Sequence, residues 1–509
     1  MAGFAVRLAY LNHAVSTPGF AWDDPDGYMR QALRLANGGA GWRWTFEAVI
    51  YHYNYQDYVL PPLYTVFLSV FALFPNFPFS ALVAQVVLNS LAILLVFELG
   101  RLIHSPAAGV VSAGAYAAWI PNIFSVWSTS QENLYIPLVL LAFVGLARAM
   151  LSRSPAALGI AGMLFGLAAL TRSMPMFFLP PAAVLYAILA DDRRRAAREA
   201  AILVAGVLVV TIPYSIALSQ HFQQIIVIDS HGSVALIPGA RAETPGIGET
   251  AGAIVREIVS QPLGYAAATL DRARSLLHVN GGRILQIYIV AASEWQASLW
   301  KVLVHAGTDG LLMFSTILAG VGAALSRRPQ IAAQVLLWAV VNIAVASIGV
   351  FAGARLRAPF EPPLMVLGAV CVTGCWRRPR RAALLAGIGA GVLAAAAIVP
   401  QIPRSLRARA DYGIVWPSIF SRGQGTFAGR AGFSAIAGAD GVTFSLESQD
   451  RESGLRVQVR VEEVLARTIE IPPGEARTVQ VSTGGPGLVF VELEPAEPRP
   501  AYPAMRLVR

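Results

Sequence analysis

Three carboxylates stand within four positions in Trp22-Asp23-Asp24-Pro25-Asp26-Gly27-Tyr28, in a chain that is otherwise largely apolar. A carboxylate at such a place can accept a proton from an attacking hydroxyl or help hold a hard cation. One Asp at the centre of a bilayer span costs roughly 2.5 to 3.5 kcal/mol on insertion scales, so the cluster must lie at the water interface or in a hydrated cavity. The same residues also suit a helix start: Asp23 or Asp24 as N-cap, Pro25 in the first turn, and Asp26 placed well against the dipole of a helix over 27–35. The motif alone leaves both readings open.

Other charged residues recur at the ends of apolar runs: Glu132 in Gln131-Glu132-Asn133, then Arg172, then the pair in Gly353-Ala354-Arg355-Leu356-Arg357. Paired arginines at a membrane boundary suit a phosphate, through charge and bidentate hydrogen bonding. They suit snorkelling to lipid headgroups equally well.

The elements that must position these residues follow from composition. The 509 residues are 55% hydrophobic and 14% charged, with mean hydropathy +0.56, too little polar surface to cover a soluble globule. The chain reads as an integral membrane protein. Its formal charge of +9 comes mainly from arginines in short clusters beside apolar runs, a pattern of topology and headgroup contact rather than nucleic-acid binding. Cys371 and Cys375 lie in an apolar run with no His nearby and read as packing residues.

Met1 to Ala14, interrupted by Arg7, Asn12 and His13, is too short to span and has no signal-peptide core, so the N-terminus reads as abbreviated. Residues 25 to 58 read as an amphipathic helix followed by a segment dense in Trp and Tyr, suited to a bilayer interface or to stacking on sugar rings. The run from Pro62 to Phe74 falls short of the roughly 20 residues of a crossing helix. Apolar runs then recur at 80–103, 107–121, 134–151, 156–171, 174–190, 199–219, 309–326, 330–351, 358–376 and 382–399. With each as one crossing and the aspartates outside, Arg101, Arg148 with Arg153, Arg193 to Arg195, Arg327-Arg328 and Arg377-Arg378 all fall inside. External loops are expected over 15–60 and 220–308, the latter with an extended stretch at 224–236, helices near 249–260 and 262–278, and an interfacial piece holding Glu294, Trp295 and Lys301. After residue 400 the pattern turns to period two, in Val442 to Glu447, Leu455 to Val461, Thr468 to Ile471, Thr478 to Val481 and Leu488 to Leu493. The expected fold is a polytopic α-helical membrane module over 1–400 and a small external antiparallel β domain, of sandwich type, over 401–509.

Five motifs in order carry a resemblance: Asp24 to Tyr28 with Ala32; Pro61-Pro62-Leu63; Glu132-Asn133-Leu134; Gly166 to Arg172; and Arg-x-Arg-x-Pro-x-x-Pro over Arg355 to Pro362. In these the chain resembles GT-C fold glycosyltransferases of the protein-mannosyltransferase and aminoarabinose-transferase kind, over roughly residues 7 to 400. Two departures stand out. The full membrane helix that precedes the acidic loop in that family is missing, and Leu60 replaces a Lys that some members carry beside the Pro-Pro.

The resemblance implies a polyprenyl-phosphate sugar donor in a bacterial inner membrane, an acceptor that is an envelope glycan, lipid or protein, and chemistry at the external face. It implies Asp24 as general base, with Asp23 and Asp26 behind it. Arg355 and Arg357, with Arg172, would steady the departing phosphate, and Glu132 would hold acceptor, donor sugar or a divalent ion such as magnesium or manganese, although no residue set fixes a metal site. Direct displacement would invert the anomeric carbon. The rival reading is a transporter or lipid-linked-sugar flippase, since charges at membrane edges also mark substrate pathways; the absence of an internal repeat weighs against it.

Overall fold

In a computed structural model, the described residues are 2–16, 27–37, 50–53, 56–190, 192–229, parts of 252–260, 261–276, 299–348, 354–374, 381–399, and eight strands between 425 and 508 with a few flanking positions. The helices are α1 (Ala2–Ser16), α2 (Tyr28–Asn37), α3 (Pro62–Ala72), α4 (Phe79–Ile103), α5 (Pro106–Ala117), α6 (Ile120–Phe124), α7 (Glu132–Ser152), α8 (Pro155–Ala169), α9 (Met174–Leu189), α10 (Arg193–Phe222), α11 (Pro262–Leu276), α12 (Leu299–Leu325), α13 (Pro329–Ile348), α14 (Glu361–Gly374) and α15 (Arg381–Ile398). All ten apolar runs form helices.

Length separates them. Among the described residues α4, α7, α10 and α13 are long and apolar enough to cross a bilayer, and α5 with the segment Ile120–Trp127, bent by 59°, makes a fifth. The expectation that each run is one full crossing is met by length and composition in these, and α12, at 27 residues, is also long enough to cross. The 15 residues of α8 rise only about 22 Å, short of a hydrocarbon core of about 30 Å. The chain is a multi-pass helical membrane protein.

Local chemistry sets the helix boundaries at the arginine-rich end. Ser105 and Ser154 each accept a hydrogen bond from the backbone N–H three residues on, with Pro106 and Pro155 at the first helical position, and Asp192 accepts from the N–H groups of Arg194 and Arg195. Arg101 and Arg148 both pair with Glu98, at 2.7 and 2.8 Å, tying the ends of α4 and α7. Gln330 beside Arg327-Arg328 donates to the Leu189 carbonyl at 3.0 Å, and Gly374 packs against His104. The described clusters used in the topology thus collect at one end of the bundle.

Close approach of helix backbones relies on glycine. In α12, a Cβ on Gly322 would overlap the carbonyl of Leu367 in α14; in α8, one on Gly162 would overlap the carbonyl of Leu203 in α10. The core between these layers includes Phe143, Phe165, Phe178 and Trp338, whose rings meet at centroid distances of 5.3 to 5.7 Å.

The break after α5 has a specific cause. Arg7 of α1, fully buried, donates to the carbonyls of Tyr116 and Ala117 at the end of α5 and to Asn122 Oδ1 at 2.6 and 3.2 Å. A cation on the terminal carbonyls satisfies groups that α5 leaves without intrahelical partners. From Asn122 the polar chain continues: its Nδ2 donates to Asn89 Oδ1 at 2.6 Å, and Asn89 Nδ2 donates to Asn133 Oδ1 at 2.9 Å. The short N-terminal run is a helix, and its charge locks the bundle.

The aromatic-rich segment departs from a plain loop. Ile50–Tyr53 (β1) and Gln56–Val59 (β2) pair antiparallel, with Ile50 opposite Val59. β-branched and aromatic residues favour a strand, and the two-position link suits a hairpin. In the expected external insert, α11 forms as read, Ile225 and Ile226 run without regular structure, and Glu294 and Trp295 lie outside the described residues.

Among the described residues the last hundred positions hold eight strands: β3 (Gly425–Phe427), β4 (Ala431–Ala437), β5 (Val442–Ser448), β6 (Leu455–Val461), β7 (Val464–Ile471), β8 (Ala476–Val481), β9 (Gly487–Pro495) and β10 (Met505–Val508). They form two antiparallel four-stranded sheets, ordered β3-β10-β5-β8 and β4-β9-β6-β7. Alternate residues are buried, as at Val457 and Val459 or Val479 and Val481. Period two located five strands; β3, β4 and β10 were not read.

Gly322→Val is expected to loosen α12 from α14 and to cost about 1–3 kcal/mol, read as a lowered unfolding midpoint in detergent. Gly114→Ala, where a Cβ meets nothing within 4 Å, is expected to leave that midpoint unchanged or raised.

Candidate functional site

Opposite the arginine-rich end, α7 begins with Glu132 and α8 is followed by Arg172. The connection between these antiparallel helices lies at the far end, so the two residues meet although 40 positions apart. Glu132 Oε1 accepts from Arg172 Nη1 at 2.9 Å, and its Oε2 accepts from the Ser130 hydroxyl. The carboxylate side chain is 4% exposed and the arginine 13%. The Arg172 guanidinium and the N-terminal turn of α7 both favour a carboxylate at this place. Arg172 spends one hydrogen bond on this partner among the described residues, and a guanidinium carries five N–H donors.

The acidic stretch leads directly to this place. Asp23, Asp24 and Asp26 themselves lie outside the described residues. Gly27, next in the chain, has φ +69°, a left-handed turn that glycine adopts without strain, and α2 begins at Tyr28. The buried Tyr28 donates to Gln131 Oε1 at 2.9 Å, beside Glu132, and its ring meets Tyr64 edge-on at 4.9 Å. Leu63 N–H, at the Pro-Pro-Leu motif, donates to the Leu170 carbonyl at 2.8 Å, two residues before Arg172. Four of the five sequence motifs therefore converge on one helix-end cluster: the Tyr28 end of the acidic motif, Pro61-Pro62-Leu63, and the Glu132 and Arg172 turns.

The second arginine site is closed. Arg357 ends the short 3-10 turn Ala354–Arg357, is fully buried, and donates from Nε to Glu361 Oε1 at 2.8 Å. Glu361 Oε2 accepts from Trp119 Nε1 at 2.7 Å, across 242 positions of sequence. The backbone of Arg355 belongs to the same turn, while its side chain is outside the described ones. Trp119 stands at the α5 break, its carbonyl accepting from the N–H groups of Asn122 and Ile123 at 3.1 Å. Through Asn122, Asn89 and Asn133 the Arg357 cluster joins the Glu132 cluster, so both occupy the same end of the bundle.

Sequence reading missed Glu361, Trp119 and Arg7. The signal for Glu361 was present: it sits four residues after Arg357 inside the Arg-x-Arg-x-Pro-x-x-Pro motif and opens an apolar helix. Among the described residues no three His, Cys, Asp or Glu gather as metal ligands, and both oxygens of Glu132 already accept hydrogen bonds. The residues described here therefore do not assemble a divalent-cation site.

This geometry can be set beside known proteins. Residues 60–217, from the approach to α3 through most of α10, match the family model described as dolichyl-phosphate-mannose-protein mannosyltransferase. The matched stretch contains Glu132 and Arg172 and excludes the aspartates, Arg355 and Arg357. The resemblance drawn from the motifs is thus shared by an independent match.

The chain is similar to ArnT from Cupriavidus metallidurans bound to undecaprenyl phosphate, with 17% identity, covering 73% of this chain and 59% of that one at a TM-score of 0.46. It is similar to the apo oligosaccharyltransferase of Archaeoglobus fulgidus, with 14% identity, 80% and 56% coverage and a TM-score of 0.43. It is also similar to the arabinosyltransferase EmbB of Mycobacterium smegmatis, with 12% identity, 100% and 64% coverage and a TM-score of 0.31. The chain spans less than two thirds of the length of each of these. No curated protein matches it.

Removing one partner of the buried Arg357–Glu361 pair strands the other, so Arg357→Ala is expected to cost about 3–5 kcal/mol of stability. Arg357→Ala with Glu361→Ala together should cost clearly less than the two single losses summed. A double-mutant cycle on unfolding midpoints in detergent checks this, and strict additivity would show that the pair is not coupled.

Proposed function

We propose that this protein is a membrane glycosyltransferase that moves a sugar from a polyprenyl-phosphate carrier to an acceptor hydroxyl at the external face of a bacterial inner membrane. One observation carries the reading: the Glu132–Arg172 pair, at a helix end inside an apolar bundle, is bonded through Gln131 to the tyrosine that directly follows three aspartates. Four residues of extended chain reach at most about 14 Å, so connectivity keeps Asp24 in the neighbourhood of Tyr28. The family match over 60–217 supports the same reaction class.

In this reading Asp24 takes the acceptor's proton as its oxygen attacks the anomeric carbon, and Asp23 and Asp26 raise the local negative potential that favours proton uptake. The new carbon–oxygen bond forms as the bond from that carbon to the phosphate oxygen breaks, on the opposite face, so the configuration inverts. The electron pair leaves with the lipid phosphate, whose growing charge needs fixed hydrogen-bond donors. Arg172 is the best placed, since Glu132 and Ser130 orient it while further N–H groups stay open among the described residues. Arg355, in the short turn that ends at the Glu361-paired Arg357, adds a second cation on this side. Glu132 then acts by orienting Arg172 rather than by holding acceptor or metal.

Asp24→Asn is expected to lower transfer from a polyprenyl-linked sugar by about 10²- to 10⁴-fold while leaving the unfolding midpoint unchanged. Transfer measured with radiolabelled donor in membranes checks it. Unaltered transfer rules out Asp24 as the base.

A further inference from the structure

Tyr135 presents a hydroxyl that has no partner among the described residues. It sits on α7 three residues after Glu132, hence on the same helix face, and helical side chains lean towards the N-terminus, which directs its ring back to the Glu132 turn. The residue is fully buried, and its hydroxyl makes no hydrogen bond among the described residues. The charges of Glu132 and Arg172 are the ones that act on it. Tyr135 belongs to the buried apolar core that also holds Ile136 and Val139 of the same helix.

An unsatisfied hydroxyl in an apolar bundle is costly, whereas phenylalanine has the same shape without that cost. Tyrosine at this position therefore has no structural advantage over phenylalanine in the unliganded protein. Its donor becomes useful only when an acceptor arrives beside Arg172. Several of that guanidinium's N–H groups are open among the described residues, so the arriving acceptor is an anionic oxygen.

We propose that the Tyr135 hydroxyl is a ligand contact, donating a hydrogen bond to a phosphate oxygen of a polyprenyl monophosphate bound at Arg172. The inference rests on the functional reading above and adds to it a specific donor in the first turn of α7. Tyrosine contributes a fixed, uncharged donor from below, and Arg172 contributes charge from the rim.

Tyr135→Phe separates a ligand contact from a packing role, because the two predict different pairs of results. For a ligand contact, the unliganded variant unfolds at the same temperature as the parent or higher, while its affinity for undecaprenyl phosphate in detergent falls about tenfold to a hundredfold. Affinity is read from the ligand-dependent rise in unfolding midpoint. Tyr135→Leu, which also loses ring packing, should lower the unliganded midpoint and lose affinity as well. If the parent responds to undecaprenyl phosphate and Tyr135→Phe responds equally, the contact is wrong and the transferase reading stands. If the parent itself does not respond, the functional reading fails first. Protection by inorganic phosphate that depends equally on the hydroxyl would overturn the assignment to a lipid headgroup.

Discussion

A guanidinium inside an apolar bundle must be paired or hydrogen-bonded to offset its desolvation, and that requirement shapes this end of the molecule. Arg7, Arg172 and Arg357 meet it in three ways. Arg7 takes the carbonyls at a helix end and an asparagine; Arg172 takes a carboxylate from the start of another helix; Arg357 takes a carboxylate one turn further along its own chain. Each solution fixes where a helix stops or starts. The break after α5 exists at the place where Arg7 can satisfy the carbonyls that a continuous helix would have used internally.

Desolvation decides why the acids sit where they do. Burying an ion pair recovers its cost only with good geometry and extra hydrogen bonds, and both carboxylates have them: Ser130 on Glu132, Trp119 on Glu361. Both also stand in the first turn of a helix, where the peptide dipoles favour negative charge. The bundle consequently has two unlike ends. One gathers arginines near serine- and aspartate-capped turns, with Glu98 pairing two of them; the other gathers acid–arginine pairs and a ladder of asparagines. The ladder matters because it lets α4, the α5–α6 break and α7 share one polar seam without admitting bare charge.

How much of this was legible depended on range. Each of the ten apolar runs located by hydropathy holds a helix, because a run of apolar residues encodes burial locally. It could not separate full crossings from short packed helices such as α8, whose span depends on neighbours. Alternation found the strands rich in Val, Ile and Thr but not Ala431–Ala437, whose small residues blur the pattern. Arg172 and Glu132 were each marked as functional by type, yet their bond, like that of Trp119 to Glu361, joins positions that no local pattern connects. Glu361 was overlooked because, read in line, it is simply the first residue of an apolar helix.

The pairing also bears on what kind of ligand such a site can serve. An arginine already matched to a carboxylate projects little net field, so it cannot draw a soluble anion from a distance as an unpaired cationic funnel would. Its attraction is felt at hydrogen-bond range, through donors with a fixed direction. Under the proposed reading that is no handicap, since a headgroup carried on a polyprenyl chain reaches the site by diffusing within the bilayer and needs no steering through water. The tail would supply affinity through apolar burial, leaving the donors to set position. In the same reading the pairing avoids holding the product phosphate too tightly after the sugar departs: Glu132 beside Arg172 offsets part of the attraction that a bare arginine would exert. Orientation without excess charge suits an enzyme that must release a lipid phosphate at the end of every cycle.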